Sequence, residues 1–131
     1  MPANLKVYRD RISAIKAVRE GLPVEVYTTL KTEMNVSDKV LSKALRISER
    51  TILRRKREGR FKPDESERIM RLVRLFDLAT KVLGDKEDAS RWLQEKSLPL
   101  GLKTPLECAE TELGVREVEE LLSRIRYSLL S

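Results

Sequence analysis

Arg50, Arg54 and Arg57 recur at intervals of four and three residues, a spacing that gathers side chains on one face of an α-helix. A guanidinium is planar and permanently charged, and its paired donors match guanine O6 and N7 or two phosphate oxygens. Three of them in one stripe, within SERTILRRKREGRFK, point to reading a nucleic acid rather than to bond-breaking chemistry. With Ile52 taken as inward at about 100° per residue, all three arginines fall on the opposite side. Ser48, Glu49 and Thr51 lie at the start of the same helix, the end that carries base contacts when a recognition helix enters the major groove. Arg50 and Arg54 are therefore expected at base edges, with Ser48, Glu49 and Thr51 beside them. Arg55, Arg57, Arg60 and Lys62 are expected at phosphates. The plainer reading of the same charges is a solvated helix face.

Other chemistry is poorly supplied. The 131 residues contain no histidine, which removes His-containing metal sites, Ser-His and Cys-His nucleophiles and the commonest general base. Cys108 is the only cysteine; it reads as a packed thiol and fits a reducing cytoplasm. Glu117, Glu119 and Glu120 could pass for paired carboxylates, but a solvated helix face explains them better. There is no phosphate-cradling glycine loop, so neither an enzyme nor a cofactor is called for, and no stretch has the apolar length of a membrane span.

The elements that must position these residues are helical. Ser37 and Ser48 suit helix amino-termini, because a serine oxygen can accept from free first-turn amides. Between them Val40, Leu41, Ala44 and Leu45 make an apolar stripe, and a tight turn containing Ile47 leads into the arginine helix. This is the pattern of a helix-turn-helix. Upstream, residues 9–20 read as a helix with Ile12, Ile15 and Val18 inward and Gly21 as its stop. A second helix runs from Pro23 to about Glu33. Downstream, Pro63 to Gly84 spans the longest helix, apolar enough to serve both halves of the chain. Asp85 offers the start of a helix over 86–95, with Ala89, Trp92 and Leu93 inward. KSLPLGLK reads as a loop. Thr104-Pro105-Leu106-Glu107 is a capping box with proline at the first helical position. Residues 113–127 form an amphipathic helix on Val115, Val118, Leu121, Leu122 and Ile125. The fold class is all-α, divided at 1–62 and 63–131.

Net charge separates the two ends. Residues 1–75 hold 19 Lys+Arg against 10 Asp+Glu, whereas residues 76–131 hold 8 against 11. The first balance suits a polyanion and the second is repelled by one, so the halves should meet different partners.

From residue 36 onward the chain resembles the Xre/MbcA/ParS-type antitoxins of RES–Xre toxin–antitoxin modules. The specific part is the order Trp92-Leu93, then Pro99-Leu100-Gly101, then Thr104-Pro105-Leu106-Glu107, then Glu112-Leu113-Gly114 with a final amphipathic helix. The resemblance implies an Xre-like helix-turn-helix bundle over 1–62 that binds operator DNA as a homodimer and represses its own operon. It also implies a helical toxin-binding and dimerisation domain over 63–131 that inhibits a RES-domain toxin, a protein consuming or transferring from NAD. In the family the antitoxin's end covers the toxin's cleft. Carried over, the blocking segment is Arg124, Ile125, Arg126, Tyr127, Ser128, Leu129, Leu130 and Ser131. An arginine with an aromatic is a fitting occupant of a cleft built for pyrophosphate and planar rings. Two positions depart from the family pattern: Arg46 stands where the turn commonly has glycine, and Ser128 where glycine is frequent.

Other functions compete with this one. A stand-alone repressor with a dimerising or ligand-sensing carboxyl-terminal half is the main alternative. Against sensing, that half is small, charged and poor in aromatics. RNA binding lacks a stacking platform.

Overall fold

The computed structural model describes residues 3–130, and every regular element among them is helical. The chain divides into two compact units, Met1–Arg74 and Leu75–Ser131. In the first unit a short 3-10 turn (Leu5–Arg9) precedes α1 (Arg11–Glu20), α2 (Val24–Met34), α3 (Asp38–Leu45) and α4 (Glu49–Glu58). The long helix α5 (Pro63–Leu83) starts in the first unit and ends in the second. Then come α6 (Lys86–Gln94), a 3-10 turn (Leu98–Leu100), α7 (Pro105–Cys108) and α8 (Glu112–Leu130).

The expected helix starts are present as hydrogen bonds. Ser37 and Ser48 accept from the amides of Val40 and Thr51, and Asp85 accepts from Asp88. Thr104 and Glu107 exchange both bonds of the capping box. Each cap satisfies amides that have no intrahelical partner.

Helix α1 departs from expectation. Ile12 is 77% exposed and Ile15 is also exposed, while Ala14 is buried. The inward face is Ala14, Ala17 and Val18, at the same i, i+3, i+4 spacing. Counting bulky residues alone overlooks alanines, which let a helix lie close to its neighbours.

The core of the first unit includes Leu22, Val26, Leu30, Met34, Leu41, Leu45, Ile52, Phe61 and Ile69, all buried. Tyr27 lies among them and donates its hydroxyl to Asp38 Oδ1 at 2.6 Å. Asp38 also accepts from Lys31 Nζ at 3.0 Å, tying α2 to the first residue of α3. The Tyr27 and Lys31 bonds hold the Asp38 carboxyl below its ordinary range, and burial followed by the Asp38 bond pushes the phenol up. Gly21 adopts φ +88°, and a Cβ there would run into the Phe61 carbonyl oxygen. That close approach admits the Phe61 amide to the Leu22 carbonyl at 2.9 Å.

Helices α4 and α5 are joined by a buried ion pair. Arg55 Nε and one terminal guanidinium nitrogen donate to the two Glu65 oxygens at 2.7 and 2.9 Å. The other terminal nitrogen donates to Glu58 at 2.8 Å, and Glu65 also accepts from the Lys62 amide at 3.0 Å. Arg55 and Glu65 are 4% and 6% exposed. The guanidinium holds the Glu65 carboxyl below its ordinary value, against the opposing pull of burial.

In the second unit Leu75, Phe76, Ala79, Val82, Ala89, Leu93, Leu106, Val115, Val118, Leu121 and Leu122 are buried, and Trp92 is half-buried. Gly114 lies in the first turn of α8, where a Cβ would collide with the Cys108 carbonyl oxygen.

Two predictions concern the first unit. Arg46 ends α3 in the left-handed region at φ 56°, a conformation that costs a non-glycine residue about 1–2 kcal/mol. Glycine removes that cost but adds about 0.5–1 kcal/mol of chain entropy. Arg46→Gly should therefore raise stability by about 0.5–1 kcal/mol, read from urea melts of both proteins. Glu65→Leu leaves Arg55 buried with only Glu58, and should cost about 3 kcal/mol. The double variant Arg55→Met/Glu65→Leu should recover most of the loss, which a double-mutant cycle checks. Because the folded-state pKa of Glu65 lies below the unfolded one, the stability it contributes is present above about pH 4.3. It should drain as pH falls through the folded value, and the double variant should lack that component.

Candidate functional site

The helix-turn-helix is built on α3, the three residues Arg46-Ile47-Ser48, and α4. Ile47 is buried in the turn, and its amide donates to the Ser42 carbonyl at 3.1 Å. Ile52 anchors α4 inward. Opposite it, Arg50, Arg54 and Arg57 are all exposed, as their spacing predicts, and Glu49 stands at the first residue of the helix beside them. Lys62 is exposed just beyond.

Some expected residues have local duties. Ser48 Oγ caps the Thr51 amide at 3.1 Å and lies 2.9 Å from Thr51 Oγ1, so both hydroxyls set the start of α4. Arg60 donates to the Gly21 carbonyl at 2.7 Å. Arg55 is a correction. The spacing argument placed it among phosphate contacts, but it is buried and held by Glu65 and Glu58, so it cannot present its guanidinium to a ligand. Position explains this: Arg55 is three residues from Ile52 on the inward side, and Glu65, in the first turn of α5, supplies its counter-charge.

Two further residues of α4 bear on this face. Lys56 Nζ lies 5.6 Å from the Tyr27 ring centre, a cation over an aromatic face. Leu53 is exposed among charged neighbours. Its angle, about 100° from Ile52, follows from helical spacing, but a lone apolar residue among charges gives no periodic signal.

The second candidate surface is the end of α8. The helix continues past residue 127 to Leu130. Its buried stripe stops at Leu122, and Ile125 is half-buried. Beyond that, Arg124, Arg126, Tyr127, Ser128, Leu129 and Leu130 are exposed, with Tyr127 at 74% and Leu130 at 77%. The two leucines therefore do not finish the packing of their own chain. Ser131 lies outside the described residues. Glu117, Glu119 and Glu120 are exposed on the outer face of α8, and Cys108 is half-buried with its thiol pKa pushed up by burial. Among the described residues no helix is long and apolar enough to cross a membrane.

Comparison with known proteins matches both units to domains of one family. Residues 13–74 match the antitoxin Xre-like helix-turn-helix domain. Residues 78–127 match the antitoxin Xre/MbcA/ParS C-terminal toxin-binding domain. Antitoxin Xre of Yersinia enterocolitica is 33% identical over 119 residues, covering 89% of this chain and 80% of that protein. Antitoxin Xre of Photorhabdus laumondii is 33% identical over 116 residues, covering 87% and 78%. A shorter match of 62 residues, 34% identical, links the chain to antitoxin Xre of Pseudomonas putida. With a helix-turn-helix unit followed by a toxin-binding unit, this all-α chain belongs to the Xre antitoxins of toxin–antitoxin systems, regulators and inhibitors rather than enzymes.

Proposed function

We propose that this antitoxin neutralises a cognate RES-domain toxin, one that consumes NAD or transfers ADP-ribose from it, by laying Arg124–Ser131 across the toxin's cleft. The observation that carries the reading is the exposed end of α8. A helix that keeps its form to Leu130 while Tyr127, Leu129 and Leu130 stay uncovered presents apolar and aromatic area without a partner in its own chain. Arg124 and Arg126 add cationic groups suited to a site that binds pyrophosphate. Cys108, the carboxylates of α8 and Trp92 need no part in this.

The same protein represses its own operon. Arg50 and Arg54 read base edges, Glu49 stands beside them, and Ser48 and Thr51 hold the helix start in place. Arg57, Arg60 and Lys62 meet phosphates, with Arg60 braced by the Gly21 carbonyl. Operator binding uses a homodimer, so that two recognition helices engage two half-sites. A dimer raises avidity without new base contacts. A working site for this protein is the cytoplasm, where both operator and toxin are found.

Recovery of the complex from its own operon, followed by an NAD-consumption assay of the separated partner, tests the reading. Adding the antitoxin back should abolish activity, and deletion of Tyr127–Ser131 should restore it while leaving operator affinity unchanged. A truncated protein that still inhibits fully would place the block elsewhere. Arg54→Ala should weaken operator binding by about 1–3 kcal/mol in a gel-shift titration, with toxin inhibition intact. Operator affinity should also fall steeply with added salt, because each phosphate contact releases bound counterions.

A further inference from the structure

Leu53 is the only large apolar side chain of α4 that stands exposed, at 54%, among the described residues. It lies three residues after Arg50 and four before Arg57, so it shares their side of the helix. With Ile52 it forms the apolar part of a depression of 210 Å³ whose rim is Asp38, Glu49 and Lys56. Two of those three rim groups are carboxylates, while Arg50, Arg54 and Arg57 stand exposed on the outer side of the helix beside Leu53. An isobutyl group held there loses contact with water only if its partner brings an apolar group into a polyanion-binding face.

The major groove offers one such group on its base edges, the 5-methyl of thymine. We propose that Leu53 is a specificity-determining residue that packs on a thymine methyl, next to the base read by Arg50. The rise from residue 50 to 53 is roughly 4.5 Å along the helix, comparable with the roughly 3.4 Å step between base pairs. The arginines that share the side of Leu53, rather than the mixed-charge rim, make DNA the occupant: a protein partner would have to cover Leu53 while neutralising Arg50, Arg54 and Arg57. The assignment rests on the operator-binding reading, and it adds recognition of a methyl group to recognition by charged forks.

The test uses the intact protein and the DNA segment upstream of its own gene. Each thymine in the protected segment is replaced in turn by deoxyuridine, which removes only the methyl, and binding is titrated for wild type and Leu53→Ala. At one or two thymines per half-site the wild type should lose about fourfold in affinity, the worth of one buried carbon. Leu53→Ala should bind unmodified DNA more weakly and be indifferent to uracil at those positions. Leu53 is exposed, so a thermal melt should show the variant folded as wild type. A wild type that binds its operator but ignores every uracil overturns the methyl contact and leaves operator binding standing. A uracil effect that persists unchanged in Leu53→Ala overturns it too, by assigning the methyl to another residue. Failure to bind any fragment removes the operator reading and this inference together.

Discussion

A buried guanidinium bonded on three sides fixes the recognition helix. Arg55 gives two parallel bonds to Glu65 and a third to Glu58, and Glu65 in turn caps the Lys62 amide. Removing two such charges from water is expensive, and only good geometry with every donor placed repays it. What the pair provides is orientation. A planar fork on a planar carboxylate defines both the distance and the roll of α4 relative to the first turn of α5. That roll decides which side chains face outward, so the directions of Arg50, Arg54 and Arg57 depend on a residue that itself touches nothing outside. A second set of ties works from the other side, where Tyr27 and Lys31 hold Asp38 at the start of α3 and Lys56 lies over the Tyr27 ring.

Charge and surface chemistry are sorted by unit. The excess of basic residues up to Arg74 accompanies a helix whose exposed face is almost wholly charged. After Leu75 acidic residues outnumber basic ones, and the exposed feature is an apolar and aromatic helix end. A polyanion is drawn to the first by long-range attraction that salt weakens. In the proposed reading a toxin's cleft is matched to the second mainly by area and shape, with Arg124 and Arg126 adding charge. One chain can thus serve two partners with little competition between them, because each interaction depends on a different physical term.

Much of this was legible from residue types. Helix starts at Ser37, Ser48, Asp85 and Thr104 follow from short polar side chains placed before apolar periodicity, and each is made as expected. The outward face of α4 follows from 3.6-residue geometry alone. Arg55 was not legible, because periodicity identifies a position as inward but assumes that arginine is outward; only the nearness of Glu65 makes the exception possible. Nor was α1, where Ala14 rather than Ile12 or Ile15 is buried, since alanine carries a weak hydrophobic signal and leaves bulky neighbours outside. Arg46 shows the reverse case. Its left-handed backbone follows from the turn's geometry, and the sequence places an ordinary residue there at some cost.

The exposed end of α8 raises a question of cost that its own geometry answers. Eight or so residues of helix without cover are marginal in water, since nucleation fixes several dihedrals for a single hydrogen bond. Here nucleation has already occurred, because Val115, Val118, Leu121 and Leu122 hold the preceding turns in the core. Each further residue needs only propagation, close to neutral in free energy for good helix formers such as Arg and Leu. A terminal segment extended in this way has its backbone already ordered, so under the proposed function little is lost in ordering it on binding. A glycine at the position of Ser128 would weaken that propagation by about 1 kcal/mol, and serine lessens the penalty. In the proposed reading, Arg124, Tyr127, Leu129 and Leu130 make the contacts with the toxin, and the conformation that presents them is maintained by the core behind it.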